Sequence, residues 1–348
     1  MKEKRLDYEL LRLIAIFLVV FNHTQNRGFE LFLQDGCQGV NYYLSLVLSV
    51  LCVMGVPLFL MVSGGLLLHK NETVNKVLFG RVLRILVALV LFSAILYGFW
   101  YRWDMLESYS VRDFLYRLWH QGISIPYWYL YAYGALLLAL PLLRPMVLTM
   151  RDSTFIYLTF LYVLVFTVME PLGYLLGFGS VDPDFQIPMV TSVVYYFLMG
   201  YYFAHRFHWE SLKWKHIGIL AIVSCLFVAV SCVLCAHSGM NTGTAPNTLR
   251  DGFVILPTVT LYLAVGLLIR EHHVPQKLGK VIASLGGCVF GVYLMEGILR
   301  VELQGIYRFL EPKIHVLPAC FIWVFSVVIA GLVITWVLKR IPLLRKIL

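Results

Sequence analysis

The chain has 348 residues, of which 60% are hydrophobic and only 14% charged, with a mean hydropathy of +0.80. A soluble domain carries about a quarter charged residues, so this composition excludes a water-covered globule, and with it a disordered chain, a collagen, a coiled coil and a disulfide-stapled mini-domain. The net charge of +9 is scattered through short loops between apolar runs rather than gathered on a soluble basic face, which argues against a nucleic-acid partner.

About 20 apolar residues cross a bilayer as a helix, and ten segments meet that length in chain order. The first, 10–27, opens with Arg12 and runs through Asn22, His23 and Thr24. Arg12 and His23 are 11 residues apart, almost three whole turns, so a continuous helix presents both from one face about 16 Å apart. Ionisable groups inside a span face a bundle interior or a water-filled cavity; the bland alternative is a snorkelling arginine and a histidine satisfied by a neighbouring helix. The second segment, 43–68, contains GVPLFLMVSGGLLL, in which Pro57 kinks a helix and Ser63, Gly64 and Gly65 allow either close packing or a local break. At the mouth of the third, 84–101, Arg81 and Arg84 stand three apart; guanidinium forks match phosphate oxygens, although such arginines more commonly set topology.

The fourth segment, 127–143, begins inside IPYWYLYAYG, mostly an aromatic belt. The fifth and sixth lie at 154–176 and 188–204, with Glu170–Pro171 a weak candidate at the outer end of the fifth. The seventh, 217–236, carries Cys232 and Cys235 in a C-x-x-C that reads as small apolar packing residues. The eighth spans 252–270. In the ninth, 282–300, Tyr293, Glu296 and Arg300 share a face, so the carboxylate can pair with Arg300, line a cavity or orient His23. The tenth spans 317–338. No zinc, nucleophile-elbow or phosphate-loop motif occurs, so no metal is expected. The first apolar run lacks a small-residue cleavage site and is expected to stay as a helix.

Loop charges orient these segments. Loops on one side of a ten-span bundle hold 20 of the 28 basic residues, and loops on the other hold 12 of the 19 acidic ones. Positive charge stays inside, so both termini are expected in the cytoplasm. No linker or repeat divides the chain, and 1–348 reads as a single integral-membrane domain.

Several of these segments, in this order, resemble the membrane-bound acyltransferase 3 family: Arg12 and His23 in the first helix, VPLFLMVSGGLLL (56–68), Arg81-x-x-Arg84, YWYLYAYGALLLALPLL (127–143) and SLGGCVFGVYLMEGILR (284–300). The resemblance covers almost the whole chain and agrees with ten helices. It implies transfer of an acyl group, commonly acetyl, from cytoplasmic acyl-CoA to a hydroxyl of a glycan or other cell-envelope acceptor, by an enzyme of the cell membrane. It further implies that Arg12 and His23 are essential and that Arg81 and Arg84 help to hold the CoA. The chain departs from the family where the late helix commonly reads Y-L-x-H: here Glu296 follows Tyr293, Leu294 and Met295.

The resulting expectation has His23, Arg12 and Glu296 as catalytic residues and Arg81 and Arg84 on the phosphates of the donor. Asn22, Ser63, Gly64, Trp128 and Tyr293 are assigned to the substrate pocket. Imidazole as a side chain exchanges its proton near neutral pH, so His23 serves either as general base toward the acceptor hydroxyl or as a transient acyl carrier. The competing class is a transporter of amino acids or other small molecules, because the same polar stripe can relay protons or bind a zwitterion. A purely structural scaffold accounts for the hydrophobicity but not for the ionisable residues within the spans.

Overall fold

The structure is a computed structural model and describes residues 5–106, 109–120, 122–182, 185, 187 and 189–348. Every regular element among the described residues is helical. Six helices are long and apolar enough to cross a membrane: Gly39–Leu67, Val74–Arg102, Ile125–Thr149, Asp152–Leu175, Trp214–Thr242 and Val316–Leu338. The pair Gln276–Gly286 and Val289–Glu302, bent by 54°, makes a seventh if it is one broken span.

The other three segments expected to cross form shorter helices. Leu6–Asn22 and Ile255–Glu271 have 17 residues each and Ser192–His205 has 14. At 1.5 Å per residue the longer two reach about 26 Å, somewhat less than the roughly 30 Å hydrocarbon core. The first helix was expected to continue to residue 27 but stops at Asn22. Thr24 explains the stop: its hydroxyl donates to the Phe21 carbonyl (2.7 Å) and accepts the Phe29 amide (3.1 Å), a local alternative to the next helical turn.

The chain divides into two compact units. The first comprises Met1–His69 and Met146–Gly286. Its Leu6–Asn22 helix buries Leu11, Ala15, Ile16, Val19 and Val20 and packs on Gly55–Leu67, Ile255–Glu271 and Gln276–Gly286. The glycines in Ser-Gly-Gly serve packing: a Cβ on Gly64 would collide with the Phe197 carbonyl oxygen, and one on Gly200 with that of Met61. Helices Gly55–Leu67 and Ser192–His205 therefore cross backbone to backbone, as small residues permit in a bilayer. Buried hydroxyls join Trp214–Thr242 to its neighbours, Ser224 with Thr260 at 2.9 Å and Ser231 to the Leu249 carbonyl at 2.7 Å. Cys235 is fully buried, Cys232 is half-buried, and neither forms a disulfide, in keeping with the packing role expected of them.

The second unit comprises Lys70–Pro145 and Gly287–Leu348. Here Val289–Glu302 packs on Val316–Leu338, where a Cβ on Gly291 would strike the side chain of Thr335. Lys339 donates to the Gly287 carbonyl at 2.7 Å and ties the end of one helix to the start of the other. Before Leu83–Arg102, residues Val77–Val82 wind as wide π-type turns.

Candidate active site

His23 is the first residue beyond the helix that begins the chain, not a residue deep within it. Its backbone N–H still bonds the Val19 carbonyl at 3.2 Å, and its side chain, like that of Asn22, is half-buried. Nearly two turns into the same helix, Arg12 donates from Nη1 to both oxygens of Glu9, at 3.2 and 3.3 Å. Glu9 is itself buried, 6% exposed, beneath Gly286, where any Cβ would strike its carboxylate. Ser63 is half-buried, while Gly64 lies against Phe197 in the helix crossing. These five expected site residues, Arg12, Asn22, His23, Ser63 and Gly64, all belong to the first unit.

The other five, Arg81, Arg84, Trp128, Tyr293 and Glu296, belong to the second. Arg81 grips Glu72 with its side-on fork, Nε to Oε2 at 2.9 Å and Nη2 to Oε1 at 2.8 Å. Arg144 joins from the far end of the unit, Nη2 to Glu72 Oε2 at 2.8 Å, and the Lys76 ammonium stands 3.8 Å from Oε1. The Glu72 side chain is only 8% exposed and the Arg144 side chain 7%. Hydrogen bonds from Arg81, helped by Arg144 against the cost of burial, hold the Glu72 carboxyl well below its usual range, at about 2. Arg84 takes a different partner: its Nε donates to the Ile347 carbonyl at 2.9 Å, and its guanidinium lies 5.9 Å from the Phe290 ring.

In the late helix, Glu296 is 1% exposed and accepts from Arg300 Nε at 2.6 Å. Of the three roles open to Glu296 in the sequence, the ion pair is the one formed within this unit. Around it the aromatics form a brace: Tyr127 donates to the Leu294 carbonyl (2.6 Å) and Tyr293 to the Pro126 carbonyl (2.5 Å), each hydroxyl reaching the other's backbone. The rings of Tyr129 and Tyr293 meet edge-on at 5.7 Å. Trp128, by contrast, is 38% exposed at the start of its helix.

The family model for an acyltransferase domain, Acyl_transf_3, matches residues 5–340. The chain belongs to the acyltransferase 3 family. No curated protein and no solved structure matches it. The family match runs through both compact units and includes every residue of the expected site.

Within this acyltransferase, spacing alone missed the acidic partners of two expected cations. Glu9 was legible, three residues before Arg12 on the same helix face. Glu72 and Arg144 were not, because 72 residues separate them and only the folded unit joins them. Among the described residues, no group of three or more His, Cys, Asp or Glu is arranged to hold a metal ion.

Proposed function

We propose that this family member moves an acyl group, acetyl in the simplest case, from cytoplasmic acyl-CoA to a hydroxyl of an extracytoplasmic glycan or other cell-surface acceptor. In this reading the protein sits in the cell membrane as one functional domain, with ten crossing segments and both termini in the cytoplasm. The observation that carries it is the family match over residues 5–340, which takes in Arg12, His23 and the Arg81–Arg84 pair.

Donor and centre have separate roles. Arg84, exposed and among the described residues hydrogen-bonded through Nε to a backbone carbonyl alone, retains its two terminal nitrogens for the phosphates of CoA. Arg81 commits two nitrogens to Glu72, which fixes its remaining edge rather than leaving it to swing. His23 takes the proton from the acceptor hydroxyl as its oxygen bonds to the thioester carbonyl carbon. The C–S bond then breaks, and the CoA thiolate leaves and recovers a proton. The alternative route for His23 passes through an acyl-imidazole, with the hydroxyl displacing the imidazole in a second step. Arg12, steadied by Glu9, and Glu296, paired with Arg300, supply the charges on which the centre depends.

The test uses purified protein in nanodiscs with radiolabelled acetyl-CoA, comparing wild type with His23→Ala. CoA release that vanishes in the variant is expected, and label retained on wild-type protein would select the acyl-imidazole route. Unchanged release in His23→Ala removes His23 from the centre.

A further inference from the structure

Arg250 lies in the short Thr248–Asp251 helix of the first unit and is 0% exposed. Its surroundings are mostly aromatic and aliphatic, with the thiols of Cys232 and Cys235 close by. The guanidinium carbon sits 4.9 Å from the Phe29 ring centre and 6.0 Å from that of Phe32. Leu249 and Phe253, on either side in sequence, belong with Phe32 and Cys235 to one buried cluster. A guanidinium stays charged at any physiological pH, and burial of a charge is costly unless it is paired and hydrogen-bonded. Yet its one oxygen acceptor among the described residues is Asn247, Nη1 to Oδ1 at 3.1 Å; the weakly accepting thiol of Cys235 also lies beside it, while Nε and Nη2 make no hydrogen bond of ordinary geometry among the described residues. Burial pushes the carboxyl of Asp251, next in the chain, up to about 6 against the opposing pull of the Arg250 charge.

The two unmatched nitrogens form one side of the guanidinium. Nε–H and Nη2–H point the same way and make the side-on fork that binds two oxygens of one group. Arg81 applies this same pair of atoms to Glu72. Arg250 thus presents an unfilled fork inside an apolar enclosure.

We propose that Arg250 is an oxyanion-binding residue that takes a carboxylate or phosphate group through Nε and Nη2. The rings of Phe29 and Phe32 cover the guanidinium, so the ligand enters by displacing the segment 24–38, which begins directly after His23. Phe29 is joined to the end of the first helix through the Thr24 hydroxyl, so an oxyanion on Arg250 repositions the segment that follows the proposed centre. The binding itself is independent of the acyl-transfer reading.

The experiment follows thermal unfolding of the full chain in an uncharged maltoside detergent at constant ionic strength. Inorganic phosphate, glucuronate and chloride are titrated separately. A ligand that binds only the folded state raises the midpoint saturably. The expected result is a saturable rise with phosphate, with glucuronate or with both, none with chloride, and loss of the rise in Arg250→Met and Arg250→Lys. Methionine removes a buried charge without leaving a void, so this variant should fold; lysine keeps the charge but lacks the fork. The more effective of the first two anions identifies the group. No saturable rise in wild type, or an undiminished rise in Arg250→Met, overturns the proposal. Because no step of the titration involves acyl-CoA, its failure is separate from failure of the His23 test.

Discussion

Replacing Glu72 with glutamine probes the ion cluster beside the arginine pair. The side chain keeps its shape, but the charge that Arg81, Arg144 and Lys76 share is gone. The carboxyl is lowered from an ordinary 4.5 to about 2, and each tenfold change in proton affinity is worth about 1.4 kcal/mol. Full linkage would therefore give ~3 kcal/mol; screening by water where Lys76 is exposed brings the expectation to about 2 kcal/mol. The sign follows from a folded pKa below the unfolded one. The contribution is complete above about pH 4.5 and is lost as pH falls through about 2. Chemical unfolding in mixed micelles at pH 7 should show Glu72→Gln less stable than wild type by about that amount. The gap should close progressively below pH 4.5, because protonated Glu72 resembles glutamine. A gap below about 0.5 kcal/mol at pH 7, or one that does not change with pH, refutes the linkage argument.

Two further outcomes follow from the packing and from the donor site. Gly64→Leu should prevent accumulation of folded protein, since the Phe197 backbone cannot retreat from a Cβ; recovery of monodisperse protein at wild-type yield would show that the crossing is loose. Arg84→Ala should weaken acyl-CoA binding about tenfold or more, the loss of a charge-assisted contact, with Arg84→Lys in between. Equilibrium binding of labelled CoA checks this, and an unchanged affinity would free Arg84 from the role.

Helical character, membrane residence and family were legible because each rests on runs of adjacent residues. Apolar stretches near 20 residues, and a His eleven positions after an Arg, can be read without knowing any tertiary contact. The end of the first helix was half legible: Asn22, His23 and Thr24 are polar, but only the fold shows the Thr24 hydroxyl serving both Phe21 and Phe29. Gly64 had two possible uses, close packing or a break at a site, and its meeting with Phe197 across 133 residues puts it in the packing. Charge was the least legible property. Arg81 read as an available cation, yet its fork is filled by a glutamate nine residues earlier. Arg250 stands between the seventh and eighth apolar segments, where nothing in the spacing signals that it is buried completely. Sequence spacing gives the sign of a group but not its counter-ion, which in these cases depends on loops and on distant helices.

The wide turns at Val77–Val82 govern how the arginine pair can be used. In a regular α-helix each residue advances by about 100°, so residues three apart are neighbours on one face. A π-type turn takes more residues per revolution and slips this phase. Arg81 lies inside the slipped stretch and Arg84 just beyond it, and one turns to Glu72 while the other turns to the carbonyl of Ile347. The pair is therefore a junction between two parts of its unit rather than a single clamp. Deleting one residue from 77–80 would rephase Arg81 and Arg84 together against Glu72, whereas deleting one between them would leave Arg81 in place and swing Arg84 away, so the two lesions would separate anchoring from ligand capture.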